Sequence, residues 1–401
     1  MNENSKAYSA FCGIDVSKDY FDYCLLNENK QVISRDKLPI NLESLRNLIR
    51  VTAKDVNQNV IFLMESTGKY HRRISDYLAK AGFDVCIIQP LLIKNYTESK
   101  DLRKTKTDKK DAKMIAEYAF YNSNNLLLYD PGNSDLKDLS RFRLSLKKKL
   151  SALKTDFKAR MVSIFPELVA VKDDFIFTKT IMSLLRECCL PSELSKKRVS
   201  TLDNMLAKCN AVRLSINGSK LKEMAKNSIG VNSSTAQFII TEIIEEMLQL
   251  TERIEKVEAE LDAQSAEIYD DKIKIISSIV GIGKSTALSF LIETKDISLF
   301  DDWKKLSAYA GIDPGISQSG SSVDKKGSIS KRGNKYLRST LYLMADSVYK
   351  HNERYKAYYQ KKRDEGKEFK ETMIAISNKL VKLIYSLLNK GVLYDSNYEN
   401  N

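Results

Sequence analysis

FCGIDVSKDYFDYCLLNENKQVISRDKL, residues 11–38, decides the fold of the N-terminal half. It breaks into three short runs, FCGIDVS, YFDYCLL and KQVISRDKL, with polar turns such as Asn27-Glu28-Asn29 between them. Runs of this length, bounded by turn residues, predict three strands. Leu42, Leu45, Leu48 and Ile49 share one face of a helix over 42–53. VIFLM at 60–64 and DVCII at 84–88 read as two further strands, with helices over 69–81 and 107–121. Three strands, helix, strand, helix, strand, helix is the pattern of a mixed sheet flanked by helices.

Four acids stand out against this frame. Asp15 sits inside the first apolar strand, where a carboxylate is costly unless it is paired or metal-bound. Glu65 follows VIFLM, where a strand meets its loop. Asp108 and Asp111 are three apart on a helix, so they share a face. Four acids from two strand ends and one helix could hold the divalent ions of a phosphoryl-transfer enzyme, and Mg²⁺ prefers such oxygen ligands. Plainer roles remain open. Asp108 and Asp111 lie near eight basic residues across 94–113 and could be a solvated helix face. Asp15 could be salt-bridged, and Glu65 a loop residue.

Composition sets the bounds. At 401 residues and 43% hydrophobic, the chain can bury two or three cores. A net charge of +13 suits a polyanionic partner, most simply nucleic acid. Six scattered cysteines and two histidines, without a CxxC pair, argue against zinc and against a disulfide framework. No apolar stretch approaches the length of a membrane span, and MNENSKAYSAFCG lacks a signal-peptide pattern. A cytoplasmic, nucleoid-associated protein is expected.

The middle is helical. Leu136, Leu139, Leu146, Leu150, Leu153, Phe157 and Ile164 mark a long helix over 134–164, basic on its outer face. Ile240, Ile243, Met247, Leu250, Ile254, Val257, Leu261 and Ile268 mark a second, over 236–268, with the three-four spacing of a coiled coil and an acidic exposed face. The two could pair within one chain; the narrow seam and the length favour another subunit. Residues 165–235 read as short helices without an assigned role.

The last 130 residues start with IKIISSIVGIGKSTALSFLIE. Val280-Gly281-Ile282-Gly283 between two helical segments suggests a helix-hairpin-helix, or a simple interhelical turn. Backbone N–H groups at such a turn, with Lys284, can hold a DNA phosphate without reading sequence. A phosphate-binding ATPase loop is disfavoured, because Ser278 stands where its first glycine belongs and no clear Walker B aspartate follows an apolar strand. The stretch Ser317 to Gly333 is a Ser/Gly-rich loop, and Lys325 to Arg338 holds six basic residues and no acid, including Lys331, Arg332 and Arg338. A serine in this loop could attack phosphorus while the cations stabilise the developing charge. A linker or phosphate-binding loop without chemistry is the alternative. Helices are expected around 334–350 and 368–389, and a disordered tail at DSNYENN.

Together GIDVSK (13–18), MESTGKYH (64–71), KTDKKDA (106–112), GIGKSTA (281–287), AYAGIDP (308–314), QSGSSV (318–323) and ISKRGNKYLR (329–338) resemble one family. It is the insertion-sequence transposases with an N-terminal RuvC-like DEDD domain and a C-terminal serine transposase domain, a group that includes bridge-RNA-guided recombinases and pilin-gene invertases. The resemblance implies an RNase H-like domain over 1–125, a coiled-coil region over 126–270 and a mainly helical serine domain over 271–401. It assigns Asp15, Glu65, Asp108 and Asp111 to the DEDD metal site, holding Mg²⁺ or Mn²⁺, and Ser319 to the nucleophile, with Ser317, Ser321 and Ser322 close by. It implies cleavage and rejoining of insertion-sequence DNA, a structured guide RNA in some members, and a homo-oligomer, dimer or tetramer, whose subunits share a composite site. A metal-dependent nuclease or junction resolvase of the same fold, without a serine-linked intermediate, is the competing reading. A non-enzymatic nucleic-acid-binding protein is the third.

Overall fold

The computed structural model describes residues 8–56, 59–66, 69–100, 108–126, 128–172, 174–207, 216–313, 329–331 and 333–395; the side chains of 53–56, 91, 95, 100, 108–110 and 125 are not among the described features. Ser317, Ser319, Ser321, Ser322, Arg332, Cys209 and the side chain of Asp108 therefore lie outside the described residues.

The chain forms two compact units. One holds residues 1–137 and 271–401, the other 138–270.

In the first unit β1 (Ala10–Val16), β2 (Tyr20–Asn27) and β3 (Val32–Pro39) form an antiparallel meander. Then come α1 (Leu42–Val56), β4 (Val60–Glu65), α2 (His71–Lys80), β5 (Asp84–Ile88), α3 (Pro90–Lys100) and α4 (Asp108–Asn122). The sheet order is β3-β2-β1-β4-β5, with β1, β4 and β5 parallel. The mixed sheet expected from the sequence is present; α3 is an addition to that reading, since its apolar residues lack a clear helical face.

Strand alternation builds a core on each side of the sheet. Ala10, Cys12, Ile14, Val16, Phe62 and Met64 pack with Leu45 and Leu48 of α1 and Ile74 and Leu78 of α2. Phe11, Ile61, Leu63, Cys86 and Ile88 pack with Ile93 of α3 and Ile115 and Ala119 of α4. Each fully buried large side chain here contributes roughly 1.5–3 kcal/mol.

The chain continues through α5 (Pro131–Ile164), α6 (Pro166–Val169), α7 (Lys179–Glu187), α8 (Pro191–Lys196), α9 (Val199–Ala207), α10 (Gly218–Lys226) and α11 (Ser234–Ser277). In the second unit α5 and α11 pair with each other inside the chain. Leu146 meets Leu250 and Ile254, and Arg143 and Lys147 reach Glu258 at 3.6 and 2.7 Å. Low numbers on one helix meet high numbers on the other, so the pair is antiparallel. Ile268, placed in the seam by spacing, is 58% exposed; Tyr269 is buried instead. A straight helix drifts away from a strict heptad seam over this length. Residues 165–235 supply the short helices, and their apolar sides (Ile181, Leu184, Leu185, Leu194, Leu202, Leu221) close a core with Phe157, Met161, Ile240 and Ile244.

The first unit resumes with α12 (Lys284–Thr294), α13 (Trp303–Ala310), α14 (Lys335–His351), α15 (Glu353–Asp364) and α16 (Phe369–Lys390). α14 packs on α12, α15 and α16. Among the described residues no helix is long and apolar enough to cross a membrane.

Candidate active site

β1 and β4 run parallel with Ile14 beside Met64. One step further along stand Asp15 and Glu65, at the carboxyl ends of neighbouring strands. Ile14 and Met64 belong to the α1/α2 core, so alternation assigns Asp15 and Glu65 to the α4 face. Both are partly exposed.

α4 lies directly on β1. A Cβ on Gly13 would come 2.2 Å from the backbone N of Ala116 and 2.3 Å from the backbone O of Ala112. Only glycine permits this approach. Phe11 meets Phe120 edge-on, with ring centroids 5.1 Å apart, so helix and strand are antiparallel. From Gly13 to Asp15 the strand advances about 6–7 Å, the length of about four helical residues. That step leads from Ala112–Ala116 to the first turn of α4, which carries Asp108 and Asp111. Asp111 is partly exposed.

A fifth acid joins this face. Asp22 on β2 is paired in register with Asp15, and Lys37 on β3 with Asp22. Asp22 is only 3% exposed, and Lys37 Nζ lies 3.6 Å from its Oδ2. Cys24 and Leu26, on the same face as Asp22, pack against Ala112 and Ala116. One row thus crosses the sheet under α4: Glu65, Asp15, Asp22, Lys37. Reading the sequence missed Asp22, although the signal was there, an acid in the second apolar run in phase with Cys24 and Leu26. Exposed cations rim the same end. Arg73 of α2 donates to the carbonyl of Lys18 in the β1–β2 turn at 3.2 Å.

Like charges directly opposite each other are destabilising, and a divalent cation relieves that repulsion. The donors are all carboxylate oxygens, which fit a hard ion such as Mg²⁺. Among the described residues no three acids, histidines or cysteines converge as a metal cage; the fourth predicted ligand, Asp108, has its side chain outside them.

The C-terminal part flanks the serine-rich stretch, whose residues 314–328 lie outside the described ones. On one side stand α13 and Asp313, on the other Ser330, Lys331 and Asn334. Ser330 donates from its Oγ to Asp313 Oδ1 at 2.5 Å and from its N to Asp313 O at 3.0 Å. The N–H groups of Lys331 and Asn334 donate to Gly311 O and Tyr309 O at 3.1 and 2.6 Å. Lys331 is exposed, with φ 51°. Arg338 donates to Ala310 O at 3.0 Å, closing the end of α13, and burial lowers its pKa. Asn334 caps α14 by accepting from the N–H of Tyr336 and Leu337, while its Nδ2 donates at 2.7 Å to the buried carboxylate of Glu293 on α12.

The turn between α11 and α12 uses its two glycines differently. Gly281 has φ 100° and backs onto α14, where a Cβ would come 2.9 Å from Val348 Cα. Gly283 is exposed with nothing within 4 Å of an added Cβ, and precedes the exposed Lys284 at the start of α12. The open side of the turn is therefore Gly283-Lys284. Lys295 donates to Leu128 O at 3.3 Å and lies 3.7 Å from Asp130, joining the N- and C-terminal segments of this unit.

The acidic row under α4 and the residues flanking the Ser/Gly-rich stretch belong to the same compact unit. A transposase model, the IS110-type DEDD domain, matches residues 12–166, and the Transposase IS116/IS110/IS902 family model matches residues 273–360. The chain belongs to the IS110/IS116 family of transposases, enzymes of DNA transposition. It is 24% identical over 394 residues to the pilin gene-inverting protein of Moraxella bovis, covering 96% of this chain and 97% of that one. It is 25% identical over 390 residues to the transposase for insertion sequence element IS1111A of Coxiella burnetii, covering 95% and 90%. An insertion element IS110 protein of Streptomyces coelicolor is 22% identical over 394 residues, covering 96% and 95%.

Proposed function

We propose that this chain cleaves and rejoins DNA strands at the ends of an insertion sequence, with Asp15, Glu65, Asp108 and Asp111 holding divalent metal and Ser319 as nucleophile. The observation that carries the reading is Gly13. It lets α4 sit on β1 closely enough for the first turn of that helix to meet the strand ends bearing Asp15 and Glu65. The sheet order, with the antiparallel meander leading into parallel strands, supports an RNase H-like domain.

Mg²⁺ or Mn²⁺ held there would polarise a phosphoryl oxygen and lower the barrier to attack. The chain's own groups do the rest. The Ser319 oxygen bonds to phosphorus as the P–O bond to a deoxyribose oxygen breaks. The serine proton passes to a neighbouring base, and the departing oxygen gains one. The phosphodiester energy is kept in the Ser–O–P link, and attack by a new DNA hydroxyl returns the serine and joins the strands. Lys331, Arg332 and Lys284 hold backbone phosphates. Gly281 and Gly283 shape a helix-hairpin-helix turn that presents N–H groups to DNA. Arg338 supports the flank of the serine-rich stretch from behind. A structured guide RNA and a dimer or tetramer completing the site across subunits are the partners that the family resemblance adds. The nucleoid is where such a protein would work.

The test is a denaturing gel of protein with labelled element-end DNA and Mg²⁺. A slow, protein-linked band is expected for the wild type, lost with chelator, with Asp15→Asn and with Ser319→Ala. Cleavage at the wild-type rate by Ser319→Ala would instead favour the nuclease reading, and binding without cleavage by every form would sink both.

A further inference from the structure

Tyr358 of α15 has two ammonium groups over its ring. Lys379 Nζ of α16 lies 4.2 Å from the ring centroid and Lys362 Nζ 5.6 Å. Arg354 and Lys361 are four residues before and three after Tyr358, on the same helix face. Of these four cations only Lys362 is ion-paired among the described residues, to Glu365 at 2.6 Å. The crowding is strong enough that burial, followed by the charges of Arg354, Lys361 and Lys362, lowers the pKa of Lys379. The packing of α15 does not need these charges, because its buried anchor is Tyr355, 2% exposed. Gathered like charge costs stability in the free protein and is relieved when a polyanion binds.

We propose that this face of α15 and α16 is a second DNA-holding surface, separate from the carboxylate site, that grips duplex DNA by its phosphates. The proposal rests on the reading of the chain as a DNA-acting transposase and adds where the duplex is held. Arg354 to Lys362 spans about 12 Å along the helix, close to the width of a B-DNA major groove. Both Lys362 and Lys379 lie over Tyr358, so its ring is not an open platform for stacking an unpaired base. Lysine and arginine without a base-reading partner position a duplex and do not read its sequence.

The experiment measures full-length protein binding to a random-sequence 30-base-pair DNA by fluorescence anisotropy over a range of salt. The variant is Arg354→Gln/Lys361→Gln/Lys379→Gln. Its control is Lys172→Gln/Lys220→Gln/Lys226→Gln, an equal loss of charge taken from exposed lysines of the second unit. Each phosphate contact removed lowers the slope of log affinity against log salt by about 0.9, so the surface variant loses up to about 2.7 and the control much less. Equal slopes for wild type and surface variant, or equal losses in surface variant and control, would overturn the proposal. So would a loss confined to a double-stranded RNA of the same length. Protein-linked product at saturating DNA reports separately on the carboxylate and serine chemistry, and the surface variant is expected to keep it.

Discussion

Asp15 and Asp22 face each other across the β1–β2 ladder, with Glu65 beside Asp15 on β4 and Lys37 beside Asp22 on β3. The row places negative charge under α4 and ends it with one cation. That cation should matter for stability. Lys37→Met removes the ammonium 3.6 Å from a buried carboxylate, and a loss of about 1 kcal/mol is expected, held down because Lys37 is itself 45% exposed. Adding Asp22→Asn should restore most of it. Urea midpoints of both variants check this, and a neutral Lys37→Met would show that Asp22 is balanced by other groups.

Gly13→Ala should be among the most damaging small substitutions in the first unit. Its methyl would collide with the backbone of α4 at Ala112 and Ala116, and backbone cannot swing aside as a side chain does. A loss of about 3 kcal/mol or more is expected, at the upper end for overpacking. Cleavage should fall further than the folded fraction does, because α4 carries Asp108 and Asp111. Circular dichroism melting beside a cleavage assay separates the two effects.

Asn334→Ala removes both the cap of α14 and the bond to Glu293. The cap alone is worth about 1 kcal/mol, and a hydrogen bond to a charged group about 1.5–3 kcal/mol. A combined loss of about 2–4 kcal/mol in chemical denaturation is expected. Asn334→Ser, which keeps the cap and shortens the reach to Glu293, should recover only part of it.

Stability should fall in base. Burial holds the thiol of Cys12 well above its ordinary value of 9.0, and burial with a smaller push from Asp84 takes Cys86 up to about 12. Above pH 9 the unfolded chain releases these protons while the native chain keeps them. The unfolded state then binds fewer protons, so stability declines as pH rises from about 9 towards 12, by up to about 1.4 kcal/mol per pH unit for each thiol. A urea midpoint that stays level from pH 8 to pH 10.5 would contradict this. The five described cysteines are all buried, so a thiol reagent at pH 8 should modify at most one of the six in the native protein.

Much of the sheet was legible because strand and turn signals are local. DVCII is β5 at its expected limits, and the helix expected over 107–121 is α4, shifted by one residue. Asp15 and Glu65 stood out because an acid within or at the end of an apolar run is conspicuous, and Asp111 because it stands three residues from Asp108 on a helix. Asp22, an acid inside the second apolar run, was overlooked, and its pairing with Asp15 and Lys37 is set by strand register, which spacing does not disclose. α15 was also missed: its apolar positions are few and its many charges hide the single buried Tyr355.

From the sequence alone came the chain order of the five strands and of the helices other than α3 and α15, the basic balance and the acids at the strand ends. Each is written in neighbouring residues through side-chain alternation, helical period and turn chemistry. Tertiary structure alone decided that residues 1–137 and 271–401 share one compact unit, that α5 and α11 pair within the chain, and that Glu65, Asp15, Asp22 and Lys37 form a single row. Those outcomes depend on register and on the close approach at Gly13, where distant segments meet and local preference has no say.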